Sequence, residues 1–129
     1  MTWNIWAAVA AVNGMISVAA GAFGAHALRP RLSARHMEIF ETAARYHMYH
    51  ALALLAVAWL MSRNPSAWLA GAGWSFGVGI VFFTGSLYAV AVTGLGRIGF
   101  FTPIGGLLLM IGWLLLAVAA VRSPVSFGS

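Results

Sequence analysis

Very few side chains in this sequence could move a proton or bind a metal: four His, three Tyr, two acidic residues and no Cys. His47 and His50 stand at i,i+3, so a helix would put both imidazoles on one face. With His26 approaching from an earlier segment, three imidazoles could hold zinc or copper, and one alone could ligate haem. Ser86 and His50 are the nearest approach to a nucleophile and its base, but no acidic group is available to orient them. Glu38 and Glu41, one helical turn apart, could act as an acid–base pair only if buried. They lie beside Arg35 and Arg45, with Glu41 and Arg45 at i,i+4 in the favourable order, which favours a solvated ion-pair patch. Without thiolates, and with no carboxylate beyond that patch, the histidines read best as buried imidazoles bonded to Ser86, Tyr88, Thr102 or backbone carbonyls. Neither a cofactor nor enzymatic activity is expected.

The elements that must position these groups follow from composition. Of 129 residues, 62% are hydrophobic and only 7% charged, and mean hydropathy is +0.91. Soluble domains carry about 25% charged residues, so this surface belongs in lipid. The seven basic residues are all Arg and lie singly or in loops between apolar runs, as membrane flanks do, which excludes nucleic acid as a partner. The pattern implies an all-α fold, an integral membrane four-helix bundle of antiparallel up-down crossings. A single transmembrane domain over 1–129 has helices at about 3–28, 33–62 (membrane part about 45–62), 67–92 and 103–121.

In helix 1, Asn13, Ser17, Gly21 and Gly24 share a face and read as a close-packing stripe, with Asn13 in need of a partner from a neighbouring helix. Ala25-His-Ala27 imitates a signal-peptide cleavage site, but the preceding apolar run is long enough to cross a bilayer and reads as a retained helix. Arg29, Arg31, Arg35, Glu38, Glu41 and Arg45 form an interfacial charged segment, with Ser33 as N-cap, leading into helix 2. Glu38, Glu41, Arg45 and Tyr49 fall on one side of it and Phe40, Ala43, His47 and Leu54 on the other. A straight helix there would measure about 45 Å against a hydrocarbon layer of about 30 Å, so it should protrude or bend near Ala43–Tyr46. Helix 3 carries a second packing seam, Gly73-x-x-x-Gly77. Gly94-x-Gly96-x-x-Gly99 matches a dinucleotide fingerprint only formally, since no strand precedes it and no acidic residue follows; it reads as a flexible glycine turn. Thr102-Pro103 is expected to cap helix 4, whose Gly105 and Gly106 complete the packing set. The tail from Arg122 to Ser129 is short, polar and expected to be mobile.

Four crossings put both termini and Arg63 on one side of the membrane. The other side then holds Arg29, Arg31, Arg35, Arg45 and Arg97, which makes it cytoplasmic by the positive-inside rule. Trp3, Trp6, Trp59 and Trp68 would form one aromatic belt, and Tyr46, Tyr49, Phe100 and Phe101 the other. The same topology gathers His26, His47, His50, Ser86, Tyr88 and Thr102 into one half of the bundle as a candidate polar cluster.

Gly21-Ala-Phe-Gly-Ala-His-Ala-Leu28, Tyr46-x-x-Tyr-His50-Ala-Leu, Phe83-x-Gly-Ser-Leu-Tyr88, Thr102-Pro-Ile-Gly-Gly106 and Gly112-Trp113 resemble the signature blocks of one family across all four helices. It is the domain of unknown function 423 family of small membrane proteins, which includes bacterial YgdD-like proteins and the eukaryotic transmembrane protein 256. The resemblance implies a four-helix protein of the bacterial inner membrane and supplies no activity or catalytic residue. The residues favour an accessory, scaffolding or assembly-type membrane protein that packs against itself, lipid or a larger partner. The alternatives are a small oligomeric transporter or channel using the polar cluster, and a His-based metal- or haem-binding membrane protein. A proton-coupled exporter would want a carboxylate at mid-membrane, which this chain lacks.

Overall fold

The computed structural model describes residues 1–123, and its regular elements are all helical. The first helix runs Trp3–Leu28. It comprises α1 (Trp3–Val18), a π-helical turn (Ala19–Gly24) and α2 (Ala25–Leu28). Then come α3 (Ala34–Arg63), α4 (Ala67–Thr93), a 3-10 turn (Gly96–Phe100) and α5 (Phe101–Arg122). The part of the polar tail beyond Ser123 lies outside the described residues.

Local chemistry sets the helix ends. The Ser33 hydroxyl accepts from the His36 N–H at 3.2 Å and starts α3, and Ser66 does the same for α4 through the Leu69 N–H at 3.2 Å; each satisfies a donor that the first turn leaves orphaned. Gly94, at φ 73°, closes α4 in the left-handed conformation that glycine adopts without strain. Two expectations fail in the connection that follows. The glycine stretch is not a loose turn but the 3-10 helix, which leads directly into α5 at Phe101. Thr102 therefore lies inside the first turn of α5 and caps nothing; its hydroxyl meets Ser86.

Neighbours in sequence pack antiparallel. Ser17 bonds the Ala44 carbonyl while Asn13 reaches His47, one turn further along α3. Against α5, Ser86 pairs with Thr102 and Ser75 with the Leu108 carbonyl. α3 and α4 are the inner helices: α3 packs on α1 and α4, α4 on α3 and α5, and α3 buries residues from Met37 to Met61. It continues unbroken through Ala43–Tyr46. The Phe40, Ala43, His47 and Leu54 side is buried, while Glu38, Arg45 and Tyr49 are exposed.

The two outermost helices show mostly apolar side chains outward, including Met15, Val18 and Phe23 on the first and Leu107, Met110 and Leu114 on α5. Trp3–Leu28, Ala67–Thr93 and Gly96–Arg122 are long and apolar enough to cross a membrane. α3 falls outside that set because its first half is charged and His47, Tyr49 and His50 dilute its second half. His47 and His50 are buried against neighbouring helices, so this part of α3 has no need to be apolar all round.

The core runs along the interior from Trp6 and Ala10 through Leu54, Val57 and Phe76 to Leu109 and Ala119. Trp6 is thus a core residue, 1% exposed, and not part of an aromatic belt. Its indole lies where a Cβ on Gly73 would come within 2.8 Å. Trp3, Trp59 and Trp68 of that expected belt are exposed, with Arg63 over Trp59 at 5.8 Å and Arg122 over Trp68 at 5.9 Å. Gly77 does not continue the Gly73 seam: a Cβ there would meet nothing within 4 Å. The close approach of α4 and α5 runs instead through Gly79 against Leu109, Gly105 against the Phe82–Phe83 backbone, and Gly112 against the Phe76 ring. A Cβ on Gly24 would lie 3.0 Å from the Phe40 ring, whereas at Gly21 and Gly106 it would have ordinary clearances of 3.8 and 3.6 Å.

Candidate functional site

The expected cluster resolves into three separate linkages, each tying helices together. His47, buried on α3, joins α1 to α4: its Nε2 lies 2.9 Å from Asn13 Oδ1 and its Nδ1 3.2 Å from the Tyr88 hydroxyl. The Asn13 amide nitrogen donates to the Val9 carbonyl at 2.8 Å, which turns its oxygen toward the imidazole. His47 Nε2–H therefore donates to Asn13, and Nδ1 accepts from Tyr88 O–H. This tautomer is assigned from the partners.

His50, one turn on, has the opposite tautomer. Its Nδ1 lies 2.7 Å from the Tyr46 carbonyl, which can only accept. Its Nε2 receives the Trp113 indole N–H at 3.2 Å, and an indole can only donate. His50 is thus the neutral Nδ1–H form, tying α3 to α5 inside an aromatic cage. Its ring lies near those of Phe76 and Trp113 at 5.8 and 6.0 Å and is stacked on Tyr46 at 6.2 Å. Trp113 enters as a functional side chain only through the fold; it had figured only within the Gly112-Trp113 block, with no signal that its nitrogen faces a histidine 63 positions away.

Ser86 and Thr102 form the third linkage, 2.5 Å apart. Ser86 donates to the Phe83 carbonyl at 3.0 Å, so the Thr102 hydroxyl donates to Ser86. Ser75, whose Oγ donates to the Leu108 carbonyl at 2.5 Å, supports the same α4/α5 seam and carries no sequence signal beyond being a serine in an apolar helix. His26 does not join any of these. It is exposed, and among the described residues no hydrogen bond or ring contact reaches it. Of the charged segment, Glu41 pairs with Arg29 at 3.1 Å rather than with Arg45. Arg45 donates to the Thr42 hydroxyl at 3.3 Å, and Arg31, Arg35 and Glu38 are exposed.

Among the described residues, two buried polar side-chain atoms have no hydrogen-bond partner: Trp6 Nε1 and Thr84 Oγ1. Each such group costs about 1–3 kcal/mol. Among the described residues no group of three His, Cys, Asp or Glu could hold a metal ion. Each nitrogen of His47 and His50 already faces a protein partner, so a metal or haem iron could bind either ring only by displacing an interhelical bond.

Antiparallel helices with greasy outer faces and inward-turned, mutually bonded polar groups define a small integral membrane protein. The chain belongs to the family described as "Protein of unknown function (DUF423)", which matches residues 20–106. Among its relatives, a "UPF0382 membrane protein" of Staphylococcus epidermidis is 46% identical over 119 residues, covering 92% of this chain and 97% of that one. The "UPF0382 membrane protein YwdK" of Bacillus subtilis is 39% identical over 120 residues, with 92% and 98% covered. The "UPF0382 inner membrane protein YgdD" of Escherichia coli is 39% identical over 122 residues, with 95% and 93% covered. No solved structure matches.

Proposed function

We propose that this chain is an accessory membrane protein, a scaffold or assembly factor that acts by helix packing with itself, with lipid or with a larger partner, and that it catalyses no reaction. The observation that carries this reading is the commitment of all four imidazole nitrogens of His47 and His50 to bonds within the bundle. A proton carrier or a metal ligand needs a free nitrogen or an exchangeable partner; these rings act as struts between helices. The Ser86–Thr102 and Ser75–Leu108 bonds support the same reading, because they too join helices.

The test compares His50→Ala and Gly105→Leu in cells and in proteoliposomes with an entrapped pH dye. A packing role expects lower abundance or assembly for both. Intact folding of both, with loss of a proton flux that the unaltered protein supports, would replace the proposal with the transporter alternative.

We further infer that the α1–α3 and α4–α5 connections are cytoplasmic and both termini lie on the opposite face. Arg29, Arg31, Arg35, Arg45 and Arg97 stand on the first side against Arg63 and Arg122 on the second.

A further inference from the structure

On the outer flank of the bundle an open groove of about 550 Å³ runs between the first helix and α3. Its apolar lining is Val18, Gly21, Ala22, Ala44 and Met48. The π-helical turn supplies part of its wall. Gly21 and Ala22 of Ala19–Gly24 line it from the first helix and Ala44 answers from α3, so a Cβ on Gly21 would rest 3.8 Å from that of Ala44. The one large residue of the turn, Phe23, is 75% exposed and leaves the groove clear. Wide turns of this kind occur frequently at functional sites.

The charged end of the groove is asymmetric. Glu41 is held by Arg29, whereas Arg45, which also lines the groove, has only the neutral Thr42 hydroxyl. That bond folds the guanidinium back along α3 toward the charged end, as long basic side chains do at a membrane interface. Around it, residues 29–45 carry four Arg against two Glu. The groove therefore joins an apolar floor to an unneutralised guanidinium at the level where lipid headgroups lie.

We propose that this groove holds an anionic phospholipid, with its phosphate on Arg45 and an acyl chain laid along Val18, Gly21 and Met48. Guanidinium–phosphate bonding supplies the charge-assisted contact, and the surplus of Arg disfavours a headgroup that brings its own cation. The inference goes beyond the packing role and needs only that the helices span the bilayer.

The full chain in mild detergent, titrated with phosphatidylglycerol or phosphatidylcholine of matched acyl chains, gives the test by native mass spectrometry. Phosphatidylglycerol is expected to be retained about tenfold better. Arg45→Gln should bring its retention down to the phosphatidylcholine level, while Arg31→Gln, outside the groove, should change it by less than about twofold. Gly21→Leu should weaken both lipids by filling the floor; if that variant fails to fold, the arginine pair decides. Equal retention of the two lipids by the unaltered protein would overturn the proposal. So would an indifferent Arg45→Gln, equal losses from the two arginine changes, or a second copy of the chain displacing the lipid.

Discussion

Replacing Gly105 by Ala adds one methyl group at the tightest point between α4 and α5. A Cβ there would overlap the Phe83 amide nitrogen and lie 2.6 Å from Phe83 Cα and 2.7 Å from the Phe82 carbonyl carbon. All three are backbone atoms, so no rotamer change relieves the overlap. Carbon atoms pack best at about 3.5–4.0 Å, which requires the helices to part by about 1 Å. The flanking Ser75–Leu108 and Ser86–Thr102 bonds, both 2.5 Å, would stretch to the limit of hydrogen bonding. Overpacking costs about 1–3 kcal/mol, and interhelical bonds in membranes average about 0.6 kcal/mol each. The expected loss is therefore about 2–4 kcal/mol. Gly77→Ala on α4 is the internal control: its Cβ meets nothing within 4 Å, and helix propensity alone should raise stability by up to about 1 kcal/mol. Both are measured by reversible unfolding in mixed micelles titrated with a denaturing detergent. Equal effects at the two glycines, or no loss at Gly105, would refute the assignment of the seam.

Other changes test the remaining linkages. Asn13→Ala and His47→Ala should each destabilise by about 1–3 kcal/mol, because the first leaves the buried His47 and the second the half-buried Asn13 and Tyr88 without a partner; the double mutant should lose less than the sum, and strict additivity would deny the bond. Thr84→Val removes a hydroxyl that has no partner and should be neutral or stabilising by about 1 kcal/mol in the same unfolding assay; a clear loss would mean that the hydroxyl is bonded. Because the chain contains no cysteine, single replacements report sidedness cleanly: Leu95→Cys should react with an impermeant reagent from the cytoplasmic face and Ser62→Cys from the other, and the reverse pattern would invert the topology.

The all-helical architecture was legible in the sequence because lipid imposes a strong condition. Long apolar runs broken by Arg29-Pro-Arg31, Arg63-Asn-Pro65 and the Gly94–Gly99 stretch leave little choice of fold. The polar face of helix 1 was legible for the same reason: an amide as costly to bury as that of Asn13 demands a partner, and His47 supplies it. What the sequence concealed depends on rotation and depth, which apolar helices barely encode. Nothing in Gly73-x-x-x-Gly77 distinguishes the glycine under Trp6 from the one that packs on nothing. His26 and His50 look alike in sequence, yet one is exposed and the other lies between Tyr46 and Trp113. Glu41 pairs with Arg29 across the helix 1–α3 connection rather than with Arg45 along its own helix, a choice set by tertiary approach rather than spacing.

Nitrogen-15 NMR of the histidine-labelled protein in bilayers tests most directly whether the imidazoles serve as struts. Two buried rings should give sharp signals of neutral, opposite tautomers, protonated at Nε2 in His47 and at Nδ1 in His50, and His47→Ala or His50→Ala should each remove one set. Identical tautomers, or rings averaged by rapid exchange with water, would contradict the claim that these nitrogens hold the helices together.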